Sequence, residues 1–426
     1  MIGKDGHGPA RLRPYTLRSL VPLLALASGT SAANIYYSQS ILGLIARSFD
    51  VSGAMAASAV AAAQFGYLMG LVFLVPWGDG IDRRTLILCQ AAGLVAALAL
   101  VASAPTFLTF ALASTAVGVG ATIALQVVMV AADTALQEHR GRVVGTVMSG
   151  LLAGVLLARV VSGAVGGAFG WRAVYGSATA VAAVMLVALY AVLPASPPRH
   201  PQPYWRLLSS LGQVLRRHPQ LQRASLVQGL LFASFSAFWA TVALLLEGPT
   251  FGLGAFYAGL FGVLGLVGVF VAPLAGVLSD RYGPDGVTRA GIAAVVMAFP
   301  LMAFVPGLPG LVFGVVALDA GLQLAMISQQ SIIFGLDDTL RARVNTIYVA
   351  ALFAGGTVGS LAGSIAWNSF GWWGICVLGT VLALSALAMH RWTFRLPITV
   401  VDNDLVPASH AEDAMHMNGG PLNDTL

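Results

Sequence analysis

Long apolar runs, separated by short polar turns, fill almost the whole chain. A helix needs about 20 apolar residues to cross a bilayer. Twelve runs approach or exceed that length: Leu20–Ala46, Met55–Trp77, Arg84–Ala104, Phe107–Asp133, Val143–Phe169, Ala173–Leu193, Ser225–Leu246, Phe256–Leu278, Val287–Val305, Leu311–Phe334, Val344–Ser369 and Gly374–Trp392. They are continuous rather than alternating at every second residue, which points to helices and against a membrane barrel. The pattern predicts an all-α polytopic membrane protein with twelve transmembrane helices, numbered here as spans one to twelve.

Composition agrees with the pattern. The 426 residues are 58% hydrophobic and 9% charged, whereas soluble domains carry roughly 25% charged residues to solvate their surface. The first run is too long for a cleavable signal peptide and lacks a small-residue cleavage site, so retention is expected. Cys89 and Cys376 lie inside apolar runs, where they offer neither a disulfide framework nor a metal site. The seven histidines fall in tails, in loops or at a span end, as His390 does. No cofactor is expected.

The net charge is +5, and its placement matters more than its size. Arg11, Arg13 and Arg18 precede span one, Arg83 and Arg84 follow span two, and Arg140 and Arg142 follow span four. Arg199, Arg206, Arg216, Arg217 and Arg223 lie between spans six and seven. Arg281 and Arg289 follow span eight, Arg341 and Arg343 follow span ten, and Arg395 follows span twelve. The opposite loops hold little beyond Arg47 and Arg172. Cytoplasmic loops carry the excess of Arg and Lys, which predicts cytoplasmic termini. The excess is a topology signal, and no nucleic-acid partner is expected.

The chain also echoes itself. Phe169–Trp171 returns as Phe370–Trp372, and Arg140–Thr146 returns in Arg341–Ile347, each 201 residues on. Gly154 pairs with Gly355 at the same offset, and Gly78 with Gly276 at 198. Such matches predict two six-helix bundles, at 20–193 and 223–395. A cytoplasmic tail (1–19) precedes them, a basic amphipathic linker (194–222) joins them, and a short polar tail (396–426) follows. Parallel repeats of this kind place substrate at their interface near the bilayer midplane, where alternating access exposes it to either side.

"GVLSDRYG" (Gly276 to Gly283) and "GDGIDRR" (Gly78 to Arg84) are acid–base turns at equivalent places in the two halves. Here the chain resembles the major facilitator superfamily over Leu20 to Trp392, through its G-x-x-x-D-R-x-G-R-R motif. The second copy keeps Gly276, Asp280, Arg281 and Gly283. The first keeps Gly78, Asp82, Arg83 and Arg84, with Thr85 at the second Gly position. "NIYYSQSIL", "GWRAVY" and "ARVVSG" are similar to bacterial efflux permeases of the inner membrane. Glycine suits tight turns and close helix approach, and acids favour helix N-termini. The resemblance implies a gating latch, closed when the cavity opens outward. Asp82 would then face the start of span eleven near Arg343, Asp280 the start of span five near Arg142, and Asp133 would pair with Arg83 or Arg84. The simpler reading is that these residues anchor tight turns.

Spans one, four, seven and ten line the path in this family. Helical spacing aligns Thr30, Asn34, Tyr37 and Ser38 in span one, and Thr122, Gln126, Met129 and Asp133 in span four. It aligns Gln228, Phe232, Phe235 and Trp239 in span seven, and Asp319, Gln323, Met326 and Gln330 in span ten. The stripes are read together as a cavity wall, although such residues also hold helices to one another. Two charges lie deeper. Arg159 is about sixteen residues into span five and Asp319 about eight into span ten. An ionised group at mid-membrane costs at least about 2.5 kcal/mol, so function is expected of it. Asp319 is the first candidate for proton coupling, with Asp133 next; the alternative for Asp319 is a fixed ion pair or a hydrogen-bonded structural acid. Arg159 either binds an anionic substrate or holds a neighbouring helix through backbone carbonyls.

The family's exporters carry an Arg in span four and a Gly-Pro pair in span five. Here Ser114 stands four before Gly118, and Gly154-Val-Leu-Leu-Ala-Arg159 has no Pro. Proton-coupled export of small organic molecules is what the resemblance implies, with proton-coupled import as the alternative. A membrane enzyme would need clustered His, Cys or carboxylates, and an ATP-driven pump a P-loop; the sequence has neither. A non-transporting sensor using the polar tail is the third reading. The family expectation is a monomer.

Overall fold

The computed structural model describes residues 14–78, 80–194, 204–336 and 340–392, with side chains from Leu20 onward. Residues 14–19 of the expected N-terminal tail already belong to the first helix. Residues 1–13, with Arg11 and Arg13, and the expected C-terminal tail, with Arg395, lie outside the described residues. So do Arg199 and the start of the linker. All elements are helical; no strand occurs among the described residues.

In chain order the elements are α1 (Pro14–Ala33), α2 (Leu42–Phe49), α3 (Gly53–Met69), α4 (Val75–Trp77), α5 (Arg83–Ala102), α6 (Phe107–Ala121), α7 (Ile123–Thr134), α8 (Arg140–Phe169) and α9 (Trp171–Val192). They continue with α10 (Tyr204–Arg217), α11 (Pro219–Trp239), α12 (Val242–Glu247), α13 (Ala255–Phe261), α14 (Leu266–Tyr282), α15 (Pro284–Phe304), α16 (Gly307–Phe334) and α17 (Arg341–Trp392). Ten helical stretches are long and apolar enough to cross a membrane, and the described apolar part of α1, Leu20–Ala33, is shorter. Exposed Leu108, Val184, Phe270 and Phe313 give the outer faces an apolar character suited to lipid.

Local chemistry sets the ends. Ser52 caps α3, Asp82 caps α5, and Thr106 with Thr109 forms a capping box on α6. Gly170 turns the chain between α8 and α9 with φ 84°, a value that disfavours any Cβ. Its repeat partner Gly371 (φ 58°, ψ −143°) breaks the 52-residue α17 in the same way. The repeated Phe-Gly-Trp is thus a repeated turn.

Five expected spans are not single α-helices; the second passes through a π turn at Gly70–Leu74 between α3 and α4. The first stops at Ala33, passes through a 3₁₀ turn at Tyr37–Ser40 and restarts at Leu42. Asn34 contributes to this, because its Nδ2 donates to the carbonyls of Thr30 (2.8 Å) and Ser31 (3.2 Å). The fourth breaks at Thr122, the seventh at Ala240–Thr241, and the eighth passes through a 3₁₀ turn at Gly262–Gly265.

Residues 1–390 form one compact unit; of the second unit, 391–426, only Arg391 and Trp392 are described. Within the first, one apolar cluster draws mainly on α1–α9. A second draws on α11–α17 and extends to Tyr36, Tyr67 and Ala158. Two helix crossings repeat: Gly154 lies against the backbone of Gly29, and Gly355 against that of Gly229. A side chain at either site would meet a carbonyl oxygen, which explains why this pair matches across the repeat. The basic helix α10 packs Val214 against Leu221, Val344 and Ile347. Its Tyr204 hydroxyl donates to the Phe73 carbonyl (3.1 Å).

Candidate translocation site

The two deep charges come together. The stem of Arg159 on α8 packs where Gly259 and Gly262 let α13 approach. Its side chain is 3% exposed. The guanidinium lies 4.1 Å from the Trp239 ring centre and 5.0 Å from that of Tyr36, two cation–π contacts. Its Nε donates to Gln39 Oε1 at 2.8 Å. The break in the first span presents Tyr36 and Gln39, and the break after α11 leaves Trp239 at the end of its helix. Arg159 therefore holds a side-chain amide and two rings, not the backbone carbonyls considered from sequence.

Asp319 on α16 is 8% exposed, and its Oδ2 has no hydrogen-bond partner among the described residues. Arg159 is the charged neighbour that acts on it electrostatically, yet no direct ion pair joins the two. A buried carboxyl and a buried guanidinium, from helices on either side of the linker, thus influence one another through space without an ion pair.

The other expected cavity residues divide. Phe235 stacks on Phe232 (5.3 Å), which meets Phe353 (5.7 Å), and Phe353 meets Tyr67 (4.2 Å). Phe235 also reaches Trp239 at 6.1 Å, joining an aromatic wall to the charged centre. Gln323 points its Nε2 toward the Gly268 carbonyl at 3.5 Å. Asn34 and Tyr37 do not share the Arg159 site. With Thr30 and Ser31 they line a separate small pocket against α5, α7 and α9. Gln126 donates to Gln90 Oε1 (2.6 Å), and Gln90 donates to Thr122 Oγ1 (3.3 Å), so this part of the stripe ties α7 to α5.

The motif residues form local contacts at the basic end. Arg83 Nη1 meets Asp133 Oδ2 at 2.8 Å, one of the two pairings considered for Asp133. Arg84 donates to the Tyr190 carbonyl at 2.9 Å. Asp82 accepts from the backbone N (3.2 Å) and hydroxyl (2.7 Å) of Thr85, the residue that replaces the motif glycine. Asp280, Arg281 and Arg142 are exposed, and Arg343 is half-buried. Gly78 ends α4, and Gly283 needs its freedom at φ 81°. Gly276 has open space where a Cβ would stand, so close helix approach does not explain it.

Sequence reasoning missed two links across the linker. Gln64 on α3, 1% exposed, donates to Ser236 Oγ and accepts from Ser360 Oγ, each at 3.2 Å. A lone glutamine in an apolar run was the available signal. Arg47 meets Glu247 at 3.1 Å, at the end away from the basic turns. Among the described residues no group of three or more His, Cys, Asp or Glu could hold a metal.

Comparison with known proteins extends the picture. The family model for the Major Facilitator Superfamily matches residues 24–337. The chain is 35% identical over 367 residues to an uncharacterized transporter, YgaY, of Escherichia coli O157:H7, covering 86% of this chain and 93% of that one. It is 37% identical over 392 residues to a probable transporter, SCO4007, of Streptomyces coelicolor, covering 89% and 88%. The crystal structure of a D-xylose-proton symporter shares the fold, with TM-score 0.65, 20% identity, and coverage of 89% and 97%. With its long apolar helices and buried polar centre, this chain belongs to the Major Facilitator Superfamily and is a membrane transporter rather than an enzyme.

Proposed function

We propose that this protein is a proton-coupled secondary transporter that exports small organic molecules by alternating access. In this reading twelve crossings form two six-helix bundles, 20–193 and 223–395, which rock about the Arg159–Asp319 centre in a bacterial inner membrane. The linker is 194–222, the termini face the cytoplasm, and the protein works as a monomer. The carrying observation is Asp319: a buried carboxyl with an unpartnered oxygen, within electrostatic reach of an arginine beyond the linker. An ionisable group so placed in a bilayer is suited to taking up and releasing a proton as access alternates.

Contacts at Arg47–Glu247 and at Gly163–Gly259 join the halves at the end away from the basic turns. Motif residues Asp280 and Arg281 are exposed at the other end. This supports a cavity open to the cytoplasm with the latch of Asp82, Asp280 and their arginines released. A second reading, import by proton symport, is favoured by the opposed charges, since a proton on Asp319 leaves Arg159 free for a substrate.

The test uses everted vesicles with a pH-sensitive dye and a panel of amphipathic drugs, sugars and organic acids. Proton movement with wild type and none with Asp319→Asn is the expected result. Equal responses would remove Asp319 from the proton path. Accumulation of the active compound in everted vesicles means export; its loss from preloaded ones means import.

A further inference from the structure

The guanidinium of Arg159 uses only one of its donors. Arginine carries five N–H groups and stays charged in proteins. Nε is engaged by Gln39, while the two terminal amino groups have no hydrogen-bond partner and no ion pair among the described residues. A buried charge without an ion pair is costly, and two aromatic faces relieve only part of that cost.

The surroundings repeat the deficit. The indole Nε1–H of Trp239, 1% exposed and stacked beneath the guanidinium, has no acceptor. The carboxylate of Asp319 stays out of direct contact. The wall beyond Trp239 is Phe235, Phe232 and Phe353, with no charge among them. Unused donors therefore gather at one end of an aromatic surface.

Resting on the transporter reading above, we infer that the substrate is a small organic oxyanion with an apolar, ring-sized body. Its headgroup bridges the free amino groups of Arg159, and its body lies along Trp239 and Phe235. A planar guanidinium matches carboxylate, sulfonate and phosphate oxygens in paired fashion, which an ammonium cannot reproduce. Asp319 repels such a headgroup when ionised and admits it when protonated, so it discriminates by charge rather than by contact.

The experiment is equilibrium binding to the purified full-length chain in detergent, by calorimetry. The probes are benzoate, benzenesulfonate and phenyl phosphate, with benzamide and benzylamine as neutral and cationic counterparts. At least one of the three anions saturates wild type, and neither counterpart does. Arg159→Gln weakens that anion by about thirtyfold or more, as loss of a buried charge partner does, and Arg159→Lys recovers only part of the loss. Asp319→Asn tightens it by about tenfold, because a repelling charge has gone. Asp319→Asn keeps the test decisive if Arg159→Gln does not fold, because a site for cations would respond in the opposite direction. Binding of benzylamine in place of the anions, no anion binding at all, or weakened anion binding by Asp319→Asn would each overturn the inference. Anion binding that follows this pattern without proton movement in vesicles would leave it standing while the coupling reading fails.

Discussion

Arg159 and Gln64 show how a buried polar residue in a membrane helix divides its loyalties. Gln64 spends its amide on two hydroxyls, Ser236 and Ser360, both beyond the linker. Each bond is modest, but leaving a buried partner unmet costs about 1–3 kcal/mol. Gln64→Leu is therefore expected to lower thermal stability in detergent by an amount in that range. It should also speed exchange of the cavity between its two faces, read by cysteine labelling. Unchanged stability and labelling would mean that the glutamine is a passenger. Arg159 contrasts with it, holding one hydrogen bond and two ring contacts while most of its donors stay unspent. The lone glutamine and the deep arginine were both visible in the sequence. Their partners were not, because partners lie on helices distant in sequence, 80 residues or more away.

At the scale of elements, the duplication is explained by contact. Gly154 and Gly355 each press a backbone against a backbone, on Gly29 and Gly229. Gly154→Val and Gly355→Val should each cost more than the roughly 1–3 kcal/mol of ordinary overpacking, since a carbonyl cannot step aside as a side chain can. Gly276→Ala, with open space around it, should fold as wild type does. Yield and melting temperature of the three variants check this, and equal tolerance would refute the packing argument. Helix breaks were the elements least legible beforehand. Hydropathy runs straight through Asn34 and Ala240, because a bend in lipid changes conformation without changing composition. The stripe drawn through Thr30, Asn34 and Tyr37 lines a pocket of its own across such a break.

For the whole molecule, the contact at Gly43, Arg47 and Glu247 ties α2 to α12 across the linker. Arg47 is 65% exposed, so the ion pair itself adds little; the fit of Glu247 onto Gly43 matters more. With Cys89 and Cys376 replaced by Ser and Ala, the pair Gly43→Cys and Glu247→Cys should form a disulfide and stop transport. Reductant should restore it. Transport that continues with the bond intact would show that this contact does not open during the cycle.

The sequence by itself determined that the chain is helical, that it lives in a membrane and that it belongs to a transporter family. Hydrocarbon allows few solutions to buried backbone polarity, and long apolar runs with basic turns satisfy one of them. It also marked Arg159 and Asp319 as exceptional, since charge in such a run is costly wherever it sits. Only the tertiary structure decided that Arg159 lies on Trp239 and Tyr36 within electrostatic reach of Asp319, while Gln126 is committed to Gln90 and Asn34 to a pocket of its own. Which polar residues meet depends on helix rotation and on breaks at Ala33, Thr122 and Ala240. Those are set by packing between distant segments, a contest in which local hydropathy has no vote.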